Sequence, residues 1–326
     1  CKINPNIASI EAGENLYPFS GTIDGAKEGA DGECWTLTVP QNGLPLLGYV
    51  KGATVKNLNL AGERIDGYGL VNNFEGVGLS GTAITIENVT IKSGTNIVKS
   101  GLLGANMREN PYAGVSAAFV ASIKNCTIEE GAVIGCDGDQ NMIGGFAGRM
   151  QGTIENCKNY GTVKGKNIVG GIIGTRDNAL KICTVKNCGF YGSVIGEENV
   201  GGIVGSGATI ENCRAMVMID NAAERIGAIA GIVDDPLDGS VTGNTFVDGG
   251  VAGIDSVSYQ GIAEPLAYED FVAQENLPDD FGSICVRFVT DEDSLVQEYH
   301  IPYGSDFPTD QLPPVPNHQG QYGSWE

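Results

Sequence analysis

The sequence predicts an all-β chain: a right-handed parallel β-helix followed by a small β-rich C-terminal domain. Three periodic features carry that reading. The first is "hydrophobic, any, Asn-Cys", seen as IKNC ending at Cys126, IENC at Cys157, VKNC at Cys188 and IENC at Cys213. Looser copies, VKNL at Asn57, IENV at Asn88 and VTGN at Asn244, give Asn separations of 31, 37, 31, 31, 25 and 32 residues. A repeat of this length marks a solenoid. The second feature is Gly-apolar-apolar-Gly after the Asn signature: GLLG at Gly101, GFAG at Gly145, GIIG at Gly171, GIVG at Gly202, then AIAG at Ala228. Short Val- and Ile-rich runs bounded by glycine read as buried parallel strands. The third is a further short strand ending at a glycine, TVKG at Thr162 and SVIG at Ser193. Three strands and three turns per repeat wrap into one coil, and each coil supplies hydrogen-bond partners for the next.

Taken in order, residues 1–56 read as an N-terminal cap and first coils, because a solenoid end exposes apolar core and strand edges that a terminal unit must cover. Residues 57–255 are the repeats. Seven coils at about 4.8 Å each give a rod of about 34 Å. Ile123, Ile154, Val185 and Ile210 point inward with the cysteines. The repeat asparagines suit a recurring corner, since Asn tolerates the left-handed backbone, and their side chains are expected to form an interior ladder with capped ends. The structural ladder is thus Asn125, Cys126, Asn156, Cys157, Asn187, Cys188, Asn212 and Cys213. Residues 256–282 form a linker with a short capping helix in LAYEDFVAQENL. Residues 283–326 form a hairpin-containing module with its turn at Asp291-Glu292-Asp293 and Trp325 closing a small core.

The nine cysteines are an odd set. Stacked equivalents lie about 4.8 Å apart, whereas a disulfide wants Cβ atoms about 3.8 Å apart, so the repeat cysteines read as buried thiols. With 19 basic and 40 acidic residues the formal charge is −21, which opposes binding to nucleic acid or anionic lipid. No run of eighteen apolar residues is present, so membrane insertion is not expected. The ends fit an excised portion of a larger protein, with a lipid-modified Cys1 as the other reading.

The copies IVGGIIG, TVKNCGFYGSVIGEENVGGIVG and GATIENCRAMVMID resemble GLUG repeats of large surface proteins and some immunoglobulin-cleaving peptidases of Gram-positive bacteria, over about Asn57 to Asp248. VRFVTDEDSLVQEYHIPYG and the terminal GQYGSWE resemble the Listeria–Bacteroides repeat, which implies a β-grasp-like module in the tail. Together these resemblances imply an extracellular or wall-associated bacterial protein in which the repeats are noncatalytic. They fit a stalk or adhesive module for host matrix or glycans, joined to other domains of a longer chain.

Candidate contact residues are few. The longest interval between corners contains Arg108 and Tyr112 in a projecting loop. Tyr160 and Tyr191 each follow a repeat Asn by four residues and stack on neighbouring coils, either as packing or as a sugar platform. Asp137 and Asp139 flank a glycine and could share a hard cation, with Ca2+ the one candidate ion and no other cofactor implied. The same pair would serve the alternative reading, a glycan-processing β-helix enzyme. No nucleophile elbow, phosphate loop, dinucleotide fingerprint or zinc-protease helix is present, so the expectation is a protein that is not an enzyme.

Overall fold

The structure, a computed structural model, describes residues 19–29, 32–75, 82–106, 120–176, 183–220, 224–274, 283–289, 295–302, 307–308, 310 and 312–315. The chain divides into two compact units, Cys1–Leu266 and Ala267–Glu326. The described residues are nearly all β, and the helix Tyr268–Val272 has only five residues.

One central coil shows how the first unit is built. From Asn156 the chain passes through Lys158–Asn159, Thr162–Lys164, Asn167–Gly170, Ile173–Arg176 and Cys183–Lys186 before reaching Asn187. Each strand pairs in parallel with its equivalent one repeat later: Lys158 with Gly189, Thr162 with Ser193, Asn167 with Glu198, Ile173 with Val204 and Thr184 with Thr209. This is the pairing of a parallel β-helix. The coil has five short strands where the repeat pattern predicts three. The corner asparagine divides one predicted strand, and the glycine-rich turn divides another, without ending the ladder of backbone bonds.

The stack also extends past the repeat signature at both ends. Thr22–Asp24 and Trp35–Thr38 pair in parallel with successive parts of Ala53–Ala61, and Leu47–Lys51 pairs with Val71–Glu75. At the far end Ala263–Leu266 pairs with Asn244–Val247, so the solenoid continues beyond residue 255. The seven coils predicted from the asparagines are therefore too few. Strand pairing uses backbone groups, which need no Asn-Cys signature to continue.

Packing inside the coils follows columns. Val55, Ile86, Ile123, Ile154, Val185, Ile210 and Val241 occupy one register position and are all fully buried. Each contributes about 1.5–3 kcal/mol relative to exposure, which makes this column a principal source of stability. The glycine motif makes a second column. A Cβ on Gly101 would lie 1.8 Å from the Gly145 carbonyl oxygen, one on Gly145 2.2 Å from that of Gly171, and one on Gly171 2.1 Å from that of Gly202. Backbones of successive coils touch here, so a side chain cannot be accommodated without moving a coil.

In the second unit, Ser283–Val289 and Leu295–Pro302 form an antiparallel hairpin with Val286 opposite Tyr299. Phe288, Tyr299 and Phe307 make a small aromatic cluster with ring centroids 5.4–5.9 Å apart. Phe271 is buried on the short helix that falls within the predicted linker. The hairpin turn at residues 291–293, Trp325 and Cys1 lie outside the described residues.

Candidate interaction surface

The corner fixes which groups face outward. Asn57, Asn88, Asn125, Asn156, Asn187 and Asn212 all adopt φ between 51° and 54°. Asn reaches this left-handed region more readily than other residues with a Cβ. The turn breaks the in–out alternation of the strand. Ile154 is buried, Glu155 half-buried, Asn156 exposed and Cys157 buried again. The expected interior Asn ladder is thus an exterior one, because the residue added at the bend points its polar amide into water and avoids the cost of burying it. Rungs are present: Asn88 Nδ2 donates to Asn57 Oδ1 at 2.8 Å, and Asn156 Nδ2 to Asn125 Oδ1 at 3.4 Å.

Behind this corner stand the thiols. Cys126, Cys157, Cys188 and Cys213 are buried and free. The Cys126 amide donates to Cys157 Sγ at 3.4 Å and the Cys157 amide to Cys188 Sγ at 3.5 Å. The Cys157 thiol in turn donates to the Glu155 carbonyl at 3.3 Å. Burial pushes the Cys157 and Cys213 thiols up, so these groups remain protonated and unreactive at neutral pH.

The last signature departs from the sequence alignment. Val241 aligns with Ile210, and Gly243 takes the corner with φ 65°. Asn244 therefore occupies the cysteine position, not the asparagine position, and is buried. Its Oδ1 accepts the Cys213 amide at 2.8 Å, while Nδ2 donates to the carbonyls of Ile210 and Ile262 at 3.0 Å each. At the other end Asp24 Oδ1 accepts from Asn57 Nδ2 at 2.9 Å.

Immediately before each corner lies a row of charged residues that the Asn-Cys signature does not include. Asp24, Lys56, Glu87, Lys124, Glu155, Lys186 and Glu211 are successive register partners, alternating in sign at every level. Glu155 lies 3.0 Å from Lys186 and 3.6 Å from Lys124, and Lys56 lies 3.1 Å from Asp24. Lys186 foremost, with Lys124, holds the Glu155 carboxyl below its ordinary range. The signal was legible as K-N, E-N, K-N, E-N, K-N, E-N through the repeats. Two residues earlier runs a hydroxyl row, Thr22, Thr54, Thr85, Ser122, Thr153, Thr184 and Thr209. Cross-strand pairs of both kinds stabilise a sheet by about 0.2–1 kcal/mol each, and a slip of one coil would bring like charges together.

The candidate contacts distribute as follows. Tyr160 and Tyr191 stack with ring centroids 5.4 Å apart and planes 25° apart. A Cβ on Gly189 would fall 2.4 Å from the Tyr191 ring, so this ring lies across the glycine backbone. Burial pushes the Tyr191 phenol up to about 12. Asp137 is held by Arg64 through two bonds, Nη1 to Oδ1 at 2.8 Å and Nη2 to Oδ2 at 3.0 Å, and this contact draws its carboxyl below the usual range. Asp139 accepts from Gln140 Nε2 at 2.8 Å. A cation shared by Asp137 and Asp139 would have to displace the guanidinium, and among the described residues no three His, Cys, Asp or Glu side chains group to hold a metal. Arg108 and Tyr112 lie outside the described residues.

No family model matches the chain. Halomucin of Haloquadratum walsbyi is 38% identical over 100 residues, which is 30% of this chain and 1% of halomucin. The matched segment is thus a small fraction of that relative. A crystal structure from Bacteroides ovatus, of a protein provisionally named an immunoglobulin A1 protease, superposes with TM-score 0.42 at 18% identity, covering 92% of this chain and 90% of that one.

Proposed function

We propose that this chain is a noncatalytic, surface-exposed region of a larger extracellular bacterial protein, serving as a stalk or as an adhesive module for host matrix or glycans. The observation that carries the reading is the alternating charge row. Its ionic groups on successive coils are placed to satisfy one another, which suits a chain built to keep its coils in register. The segment likeness to halomucin, a surface protein, supports an extracellular setting. GLUG-like repeats in a right-handed coil, and a β-grasp-like tail around the Ser283–Pro302 hairpin, belong to the same proposal.

Beads coated with the chain and passed over matrix-protein and glycan surfaces test it. Retention on either surface supports adhesion, and passage over both supports a spacer. Release of soluble fragments from acidic polysaccharides by the chain would contradict a noncatalytic role.

A further inference from the structure

The geometry points to a binding cleft on the N-terminal coils for a sugar unit that bears a carboxylate. The cleft encloses about 340 Å3 and is lined by Leu44, Pro45, Asp66, Gly67, Asn72 and Lys99. Three successive levels build it, tied together by the Asp66 amide to the Gly43 carbonyl at 2.9 Å and the Lys99 amide to the Gly67 carbonyl at 2.8 Å.

Lys99 is the central group. Its ammonium lies 5.2 Å from the centroid of the Tyr68 ring, and among the described residues it forms no ion pair with a carboxylate. The adjacent Arg64 is occupied, by Asp66 at 3.0 Å and by Asp137 at 2.8 Å. The Tyr68 ring is itself fixed, since a Cβ on Gly104 would come 2.8 Å from its edge. The ammonium is therefore held in place on an aromatic face with its remaining donors free for an anion.

The other walls select what accompanies the anion. Asp66 offers acceptor oxygens and Asn72 a donor and an acceptor, which match sugar hydroxyls. Leu44, 60% exposed, and Pro45 present an apolar wall for the C–H face of the ring. The volume sits at the lower end of the range of small-molecule sites, about 300–1,000 Å3, enough for one sugar ring. The cleft does not require the adhesive reading, since a free acidic sugar would fill it whether or not the chain is retained on a glycan surface.

The test titrates the whole chain with glucuronic, galacturonic and N-acetylneuraminic acids, with glucose and acetate as controls, while following backbone amide shifts. At least one acid should bind with a Kd of about 1 mM, and glucose and acetate about tenfold more weakly. The shifts should centre on Gly67 and Asn72. Lys99→Met, which keeps the stem over Tyr68, should weaken the acid about tenfold while leaving the thermal midpoint unchanged. Lys99→Gln should do the same. Glucose or acetate binding as tightly as the acids, no binding at about 20 mM, shifts centred elsewhere, or unaltered affinity in both variants would overturn the inference.

Discussion

In the coils around Asn125 and Asn156 the groups at the corner find partners in copies of themselves. At Asp24 and Asn244 the next copy is missing, and a different side chain stands in its place. The central asparagine amide meets an asparagine and the central cysteine N–H the sulfur of the next cysteine, which asks of the sequence only repetition. At the first level a carboxylate accepts the Asn57 amide that an asparagine would otherwise take. At the last, one buried amide serves the Cys213 N–H and two carbonyls at once. A ladder of identical rungs has no natural end, so its ends must be chemically distinct.

The glycine column should separate centre from end most strongly. Its last member, Ala228, carries a methyl, whereas a methyl on Gly171 meets a carbonyl at 2.1 Å and the Phe190 ring at 2.3 Å. Gly171→Ala should cost about 3 kcal/mol or more in urea denaturation. Gly249→Ala, where the nearest atom is 3.9 Å away, should be close to neutral.

The end cap comes next. Asn244→Ala removes the side-chain partner of the Cys213 amide and the Ile210 carbonyl, while the Ile262 carbonyl keeps the backbone N–H of residue 244, and should lower stability by about 2 kcal/mol. Asn244→Cys returns a sulfur acceptor, as in the central coils, and should cost less than Asn244→Ala. Equal losses would mean that a sulfur does not replace the Asn244 amide as acceptor of the Cys213 N–H. Within the centre, Cys157→Ala and Cys188→Ala should each cost about 1–2 kcal/mol through the cavity left behind, with any surface binding intact. The buried thiols should also resist a thiol reagent until the protein unfolds.

The charge row should give the smallest effect. Glu155→Lys places three ammonium groups in successive rungs and should destabilise by about 1 kcal/mol in low salt, an effect that shrinks as salt is added. The pH dependence has a definite sign. Because the folded carboxyl of Glu155 is lowered, its contribution is present above the ordinary value near 4.5 and is lost as pH falls through the folded value. Glu155→Gln should therefore flatten the acid limb of the stability profile while leaving the neutral plateau only slightly lower.

The corner was legible in the sequence because a left-handed bend repeated at one position selects Asn, and a buried position behind it selects Cys or an aliphatic residue such as Leu58 or Val89. The direction of the Asn side chain was not legible. It depends on how many residues the bend inserts between two inward positions, which pattern alone does not state. Matching on the letter N alone puts Asn244 one residue out of register, whereas Val241, two residues before Gly243, keeps the inward spacing. The ion pair of Arg64 with Asp137 spans 73 positions and belongs to no repeat, so only folding brings these residues together. The charge row is fully written in the sequence, one residue before each corner asparagine.

Residues one repeat apart sit one strand spacing apart in the stacked coil. Nitroxides introduced by a bio-orthogonal residue at Thr54 and Thr209 would stand five levels apart in the register through Thr85, Ser122, Thr153 and Thr184. Pulsed electron–electron resonance should give one narrow distance near 24 Å, and moving the first label to Thr85 should shorten it by about 5 Å. A broad distribution, a mean beyond about 35 Å, or no shortening on that move would contradict the stacked coil.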